Sequence, residues 1–205
     1  KIKLEDKDIL DDLKEIKEKS KNSKVLVITN TVNKAMDVFS KLQELKVENI
    51  NLLHSRFIYN DRSTKELKIK KFSQNREEKG IWITTQIVEA SLDIDFDYLY
   101  TEMSTLDSLF QRLGRCYRSR EYDGQDANIH IYIKNMSGIK YIYDEEINKI
   151  SINLLKEYDG MMLDENVKVD LVDKLYSEDM LKDSKFLKRF KSGINILDNI
   201  MDYQT

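Results

Sequence analysis

The run VLVITN, residues 25–30, is an apolar segment that ends in two polar residues. Four consecutive aliphatic side chains without alternation are typical of a strand buried on both faces, as in a parallel sheet covered by helices. The flanking residues have helical spacing instead, over 8–19 before the run and 32–45 after it. The run is therefore predicted to be a central strand between two amphipathic helices.

The same exchange of strand-like and helix-like segments continues along the chain. Further strands are predicted at 51–55, 81–87, 98–103 and 128–134, and further helices at 64–72 and 106–113. Such alternation implies crossover connections and hence a largely parallel sheet with helices on both faces. We therefore predict an α/β domain over residues 1–139. Helical spacing at 147–158, 166–176 and 178–191 predicts a helical extension, or the start of a linker region, over residues 140–205.

The composition narrows the possible functions. The 205 residues carry a formal net charge of −3, so nucleic-acid binding requires a local basic patch. The single cysteine, Cys116, excludes an internal disulfide and fits a reducing, cytoplasmic setting. The sequence has no apolar run of the ~20 residues that a membrane span needs, so we expect no membrane partner.

Polar clusters follow four of the predicted strands. They are Asn30-Thr31, His54-Ser55-Arg56, Thr84-Thr85-Gln86 and the turn from Ser91 to Asp95. Ligands of open parallel sheets bind at the carboxyl ends of the strands, so we expect the four clusters to share one edge. Taken singly, each cluster is more simply explained as a turn or a helix cap, and it is the four together that indicate a ligand site.

The segment QRLGRCYR, residues 111–118, gathers three arginines in an acidic chain. If the helix from residue 106 continues through it, Gln111 and Arg115 lie one turn apart on one face, with Arg118 a turn further along. Arginine presents a planar fork of donors that suits phosphate oxygens. The segment therefore suggests a clamp for a terminal phosphate. The alternative is a surface helix whose arginines pair with acids such as Glu121 and Asp123.

The alternating aspartates 93, 95 and 97 raise the question of a metal site, because carboxylates suit magnesium or calcium. A calcium loop would need glycine at its sixth position and an acid at its twelfth, where this chain has Tyr98 and Ser104. We therefore predict no metal site, and we expect Asp93 to accept hydrogen bonds from a sugar hydroxyl.

Together these stretches resemble the second RecA-like domain of a superfamily 2 helicase. QRLGRCYR matches motif VI of that superfamily, TTQIVEASLD at 84–93 occupies the place of motif V, and VLVITNT at 25–31 that of motif IV. The finer resemblance is to the CRISPR-associated helicase-nuclease of type I systems, the Cas three family. It is carried by HSRF at 54–57, TQIVEASLDIDFD at 85–97 and STLDSLFQRLGRCYR at 104–118. The resemblance implies a RecA-like three-layer sandwich with a mainly parallel sheet.

The resemblance also implies roles at a nucleotide. Arg115 and Arg118 would be arginine fingers at the terminal phosphates of ATP, Gln111 would place the attacking water or contact the terminal phosphate, and Asp93 would bind the ribose. ATP and Mg²⁺ would serve the whole protein, with Mg²⁺ held mainly by a first RecA-like domain. This chain has neither the GxxxxGK[ST] loop nor the DExx motif of that domain, so alone it is expected to be inactive and to require no cofactor.

A second implied set of residues would grip the phosphates of single-stranded DNA: Asn30, Thr31, Ser55, Arg56 and Thr85. Gln86 and Glu89 would couple this track to the nucleotide cleft. The implied partners are the first RecA-like domain of the same protein, single-stranded DNA and the CRISPR surveillance complex, and the implied activity is ATP-dependent translocation in type I CRISPR interference. Another superfamily 2 DNA or RNA helicase, or a non-catalytic nucleic-acid-binding adaptor of the same fold, stays open as an alternative.

Overall fold

The computed structural model describes residues 1–89 and 92–202, with side chains as far as residue 194. Ala90 and Ser91, within the motif V stretch, lie outside the described residues. One sheet contains the strands β1 (Ile2–Glu5), β2 (Lys24–Ile28), β3 (Ile50–Leu53), β4 (Gly80–Thr84), β5 (Tyr98–Glu102) and β6 (Ile129–Tyr132). Its order is β1-β6-β5-β2-β4-β3, and every pair is parallel. The predicted α/β class with a parallel sheet is confirmed.

The helices alternate with the strands and then continue alone. They are α1 (Leu13–Ser20), α2 (Val32–Glu44), α3 (Tyr59–Gln74), α4 (Leu106–Leu113), α5 (Glu145–Leu155), α6 (Glu165–Leu175), α7 (Glu178–Leu181) and α8 (Lys185–Asp202). Short 3-10 helices occur at Ile9–Asp12, Gln86–Val88 and Lys156–Tyr158. Among the described residues, no helix combines the length and the apolar character needed to cross a bilayer.

The sheet separates two apolar layers, as the continuous run in β2 predicts. Val25 and Val27 pack into the layer under α1 and α2, whereas Leu26 and Ile28 pack into the layer formed with α3, α4 and α5. All four side chains are fully buried. Each such burial stabilises the fold by about 1.5–3 kcal/mol relative to an exposed side chain, so β2 anchors both layers.

Several element boundaries differ from the sequence-based prediction. β1 was missed because only Ile2 and Leu4 alternate in a charged segment, and its pairing with β6 is a long-range contact. The strand predicted at 81–87 ends at Thr84, where the chain turns into the 3-10 helix. The segment 178–191 is divided between α7 and the start of α8 rather than forming one helix.

The helices after residue 140 share the core of the sheet. Leu155, Leu171, Leu175 and Leu181 are buried in the same cluster as the α4 side chains. The core is therefore continuous across residue 140, and a boundary between 139 and 140 stays a prediction.

Candidate nucleotide and nucleic-acid site

The helix that carries QRLGRCYR ends earlier than predicted. α4 stops at Leu113 and is capped by Gly114. The next residues pair with the segment before β5: the Phe96 amide donates to the Arg115 carbonyl at 3.0 Å, and the Tyr117 amide donates to the Phe96 carbonyl at 3.1 Å. This pairing takes the backbone groups that a longer helix would use. The prediction that Gln111, Arg115 and Arg118 share one helical face is therefore wrong.

Tyr117 turns the chain between the two arginines. Its φ of 50° lies in the left-handed region, which is unfavourable for a residue with a side chain. Two ring contacts hold it there: the Arg120 guanidinium lies 4.3 Å from the ring centroid, and the ring of Tyr122 packs edge-on at 4.9 Å. Strain of this kind is concentrated at functional sites. The turn directs Arg118 toward the loop that contains Asp93.

Arg115 lies against the segment after the 3-10 helix. Its Nη2 donates to the Glu89 carbonyl at 2.6 Å, and its Nη1 donates to the Leu92 carbonyl at 2.8 Å. Among the residues that the structure describes, its buried Nε has no hydrogen-bond partner. Burial lowers the pKa of Arg115 and the charge of Arg118 lowers it further, although the group stays charged near neutrality. Arg115 thus binds backbone carbonyls on both sides of residues 90–91.

Arg118 is the exposed arginine of the pair. Its Nε lies 3.2 Å from Asp93 Oδ1, and both side chains are largely open to solvent. The structure thus brings together the two residues expected at a phosphate and at a ribose. Nearby, Arg120 pairs with Asp95 and Asp97, each at 2.9 Å. Glu121 and Asp123, considered above as acidic partners of the arginines, form no ion pair with them among the described side chains.

The aspartates at 95 and 97 are committed to Arg120. Burial alone would raise the pKa of Asp95, but hydrogen bonds from the Arg120 side chain and the Arg118 backbone lower it overall. In the part of the chain that the structure describes, no group of three or more His, Cys, Asp or Glu side chains could hold a metal ion. The three aspartates therefore serve as arginine partners in this arrangement.

Gln111 lies on the exposed side of α4, next to an open cleft of about 440 Å³ that Arg115 and Arg118 also line. Gly114 lines the same cleft. A Cβ added there would meet only the carbonyls of Gln111 and Phe110, at 3.5 and 3.7 Å, so intrachain packing does not require a glycine. The missing side chain leaves space for a ligand to approach the backbone.

Arg112, between these residues, was not predicted as a functional residue. It is fully buried (0% exposed), and its Nε donates to Glu89 Oε1 at 2.8 Å. Its Nη1 bonds to the Thr101 hydroxyl and the Glu102 carbonyl at 3.0 Å each, and its Nη2 bonds to the Tyr143 hydroxyl at 2.7 Å. In the sequence, Arg112 stands four residues after Ser108. This helical spacing alone does not reveal that the Arg112 side chain is buried. Arg112 connects Glu89, β5 and the segment before α5.

At the carboxyl edge of the sheet, Asn30 and Thr31 have structural partners. Asn30 is fully buried, and its side-chain Nδ2 donates to the carbonyls of Met103 at 2.9 Å and Ser137 at 3.1 Å. The Thr31 hydroxyl caps α2 by accepting from the Lys34 amide at 3.2 Å. Asn30 is closed to solvent in this arrangement and its role as a DNA contact stays a prediction, while the half-buried Thr31 lies next to open surface.

The other expected DNA contacts differ in exposure. Ser55 and Arg56 are exposed, and Arg56 Nη1 donates to Asn33 Oδ1 at 3.2 Å. Thr85 follows β4 but is only 2% exposed. Arg56, Ser55 and Thr31 are thus the residues of the set that present polar atoms at this edge.

The fourth polar cluster does not share this edge, which corrects the prediction. Residues 85–97 run from the carboxyl end of β4 to the amino end of β5, where the Asp97 amide donates to the carbonyl of Lys24, the first residue of β2. Asp93 and the arginines therefore lie toward the opposite end of the sheet, because the connection must return along the sheet before a parallel strand can begin.

Gln86 and Glu89 occupy this connection. Gln86 Nε2 donates to the Asn30 carbonyl at 2.7 Å, at the carboxyl edge. The Glu89 carboxylate accepts from Arg112 at 2.8 Å and from the Ser108 hydroxyl at 2.7 Å, and its carbonyl accepts from Arg115. The two residues predicted to couple the sites thus contact one site each.

Comparison with known proteins decides the family. The model of the CRISPR-associated nuclease/helicase Cas3 C-terminal region matches residues 21–121. The Cas3 nuclease/helicase of Methanothermobacter thermautotrophicus is 35% identical over 202 residues, which is 97% of this chain and 24% of that protein. The chain belongs to the Cas3 helicase C-terminal domain family. It spans about a quarter of the length of that relative.

Solved structures support the Cas3 fold. T. fusca Cas3 with ATP superposes with a TM-score of 0.78 at 21% identity, over 99% of this chain and 26% of that one. A chain in a CRISPR RNA-guided surveillance complex before nicking superposes with a TM-score of 0.71 at 21% identity, over 99% of this chain and 28% of that one. The expected RecA-like arrangement is confirmed.

Proposed function

We propose that this chain is the second motor domain of an ATP-dependent helicase that translocates on single-stranded DNA in type I CRISPR interference. The observation that carries the proposal is the cleft shared by Gln111, Arg115 and Arg118, which is joined through residues 85–97 to a polar edge at the other end of the sheet. Membership of the Cas3 family and the names of its relatives agree with this role.

The cleft fits the phosphates of a nucleotide. Arg115, Arg118 and Gln111 line an open space of about 440 Å³ together with Lys168 and Glu165, and among the described residues the buried Arg115 Nε has no hydrogen-bond partner. Asp93 is exposed beside Arg118, where a carboxylate can accept hydrogen bonds from sugar hydroxyls. When bound, ATP supplies the phosphoryl group, and the first RecA-like domain would contribute most of the Mg²⁺ ligands. Arg118 and Arg115 neutralise charge at the phosphates, and Gln111 orients a water or contacts a phosphate oxygen.

Arg115 gives this cleft a connection to the DNA edge. Its terminal nitrogens now bind the carbonyls of Glu89 and Leu92, so contact with a phosphate requires that it exchange at least one of these bonds. Occupation of the cleft would therefore change the restraint on the backbone at Glu89 and Leu92. Gln86, on the same connection, is bonded to the backbone at Asn30. This contact would convey the change to the nucleic-acid track.

The carboxyl edge of the sheet suits binding to the sugar-phosphate backbone of single-stranded DNA. Arg56, Ser55 and Thr31 offer a charge and two hydroxyls without a surface for reading bases, as a translocating motor requires. The partners of the whole protein would be its first RecA-like domain, single-stranded DNA and the surveillance complex, and its setting the cytoplasm.

The test uses the full-length parent protein. Arg118→Ala and Arg115→Ala should each lower DNA-stimulated ATP hydrolysis by about 10³-fold or more, because an arginine finger acts on the charge of the transition state. Affinity for single-stranded DNA without nucleotide should stay unchanged. Arg189→Ala, which removes an exposed arginine of α8 that does not line the cleft, is the matched control and should keep full activity.

Two results would count against the proposal. Retained DNA-stimulated hydrolysis in both cleft variants would remove the arginine fingers and favour a non-catalytic adaptor of the same fold. Stimulation by RNA but not by DNA in the unmodified protein would favour another superfamily 2 helicase.

A further inference from the structure

A loop outside the matched motifs presents an aromatic side chain to solvent beside the proposed DNA edge. Residues 137–143, here named the tyrosine loop, connect β6 to the start of α5. Tyr141 is 95% exposed and Ile142 is 51% exposed. These two neighbouring side chains give the loop an exposed apolar surface that a ligand can contact.

The tyrosine loop is held rigidly at its base. The Ser137 backbone amide and hydroxyl donate to the buried Glu102 carboxylate at 2.7 and 2.6 Å. The same carboxylate accepts from the backbone amide of Asn30 at 2.6 Å. At the other end, the Tyr143 hydroxyl accepts from Arg112 at 2.7 Å. Both ends are thus tied to residues that also hold the two proposed sites.

The backbone of the loop is also compact. The Gly138 carbonyl accepts from the amides of Ile142 at 2.8 Å and Tyr143 at 3.2 Å, and the Lys140 amide donates to the Tyr143 carbonyl at 2.8 Å. Gly138 and Lys140 have φ values of 74° and 76°, which reverse the chain sharply. Tyr141 is therefore displayed by a preorganised turn, which reduces the entropy lost when it binds a ligand.

The loop continues the surface proposed to hold phosphates. A Cβ at Gly138 would lie 3.3 Å from Thr31 Cγ2 and 3.4 Å from Asn30 Cβ, so the loop packs directly on these residues. Beyond Thr31, the side chain of Asn33 is bonded to Arg56. Contacts between neighbouring residues therefore link Arg56, Thr31 and the base of the tyrosine loop at this edge, and the same loop carries the exposed ring of Tyr141.

We propose that the tyrosine loop is a base-contacting wall of the single-stranded DNA track, with Tyr141 stacked on a nucleobase and Ile142 against its edge. This inference rests on the proposed function, because it places bases beside phosphates held at Arg56 and Thr31. Surfaces that bind single strands without sequence preference combine backbone cations with aromatic rings, and every base offers a face for stacking. The rigid base of the loop fixes the distance between the two kinds of contact.

The test measures binding of the full-length parent protein to oligo-dT and to a strand of equal length with abasic sites. Tyr141→Ala should weaken binding to oligo-dT by roughly 5- to 100-fold. Tyr141→Phe should bind oligo-dT like the unmodified protein, because the ring supplies the stacking energy. On the abasic strand, Tyr141→Ala should bind like the unmodified protein. Phe190→Ala removes another exposed ring, which is 57% exposed on α8, and should have no effect on either strand.

Arg56→Ala separates the two levels of the proposal. If Arg56→Ala weakens binding and Tyr141→Ala does not, the tyrosine loop is not part of the track and only this inference fails. If neither variant weakens binding, the DNA edge itself is misplaced and the inference fails with it. Equal losses of Tyr141→Ala on the oligo-dT and abasic strands would also overturn base stacking. The same holds if Tyr141→Ala binds DNA normally but no longer binds a protein partner. Circular dichroism of the full-length parent reports whether each variant is folded.

Discussion

The ion pair between Arg112 and Glu89 joins the connection after β4 to α4, and its removal gives the sharpest stability prediction. Glu89→Gln keeps the shape of the side chain and an oxygen for Arg112 Nε, but it leaves the fully buried guanidinium without a carboxylate. Breaking a buried pair costs about 3–5 kcal/mol. Because the amide still accepts one hydrogen bond and the Glu89 side chain is partly exposed, we expect a loss of about 2–3 kcal/mol.

A second pair in the chain provides a matched control. Arg62 Nε lies 2.7 Å from Glu66 Oε1, nearly the same distance as the 2.8 Å between Arg112 Nε and Glu89 Oε1, but its side chains are 44% and 29% exposed. Glu66→Gln should therefore cost less than about 0.5 kcal/mol.

The assay is urea unfolding of the 205-residue chain, followed by the fluorescence of its one tryptophan, Trp82, which is buried in the core. The midpoint for Glu89→Gln should move clearly and that for Glu66→Gln hardly at all. In thermal unfolding, the Glu89→Gln loss corresponds to about 5–10 °C. Equal losses in the two variants would refute the reasoning, because burial would then not govern the strength of the pair.

Two further predictions concern buried polar groups. Tyr143→Phe removes the acceptor of Arg112 Nη2 and should lower the free energy of unfolding by about 1–3 kcal/mol in the same urea assay; an unchanged midpoint would show that this hydrogen bond does not stabilise the fold. For Glu5, burial alone would raise the pKa, but hydrogen bonds from His130 and Lys3 lower it below its ordinary value of 4.5. The stability it contributes is therefore complete above that value and is lost as the pH falls through the lower folded pKa. Glu5→Gln should flatten the pH dependence of unfolding between roughly pH 5 and pH 3, and an unaltered slope would contradict this assignment.

The sequence predicted those features that local patterns determine. The unbroken aliphatic run of β2 requires burial on two faces, and the spacing of α2 and α4 gave their bounds to within a residue or two. β1 depends on its pairing with β6, more than 120 residues away, and two apolar side chains in a charged segment carry no such information.

Long-range contacts also explain what the sequence missed at the site. The helix through QRLGRCYR ends because residues 115–117 pair with Phe96, a contact that helical spacing cannot reveal. The motif resemblance nevertheless selected residues that the structure places around one cleft, namely Gln111, Arg115 and Arg118. Arg112 and Glu102 were missed because buried charged residues are recognisable only by their partners, which come from other elements.

Coupling of the nucleotide cleft to the DNA edge through residues 85–97 is tested most directly by the ratio of ATP hydrolysis with and without single-stranded DNA. In the full-length parent, Gln86→Ala removes the bond to the Asn30 carbonyl but touches neither the cleft nor Arg56. This ratio should fall toward one, while basal hydrolysis and DNA affinity stay within about twofold of the unmodified protein. Gln43→Ala, at an exposed position of α2, should leave the ratio intact. An undiminished ratio in Gln86→Ala would show that this connection does not couple the cleft to the DNA edge.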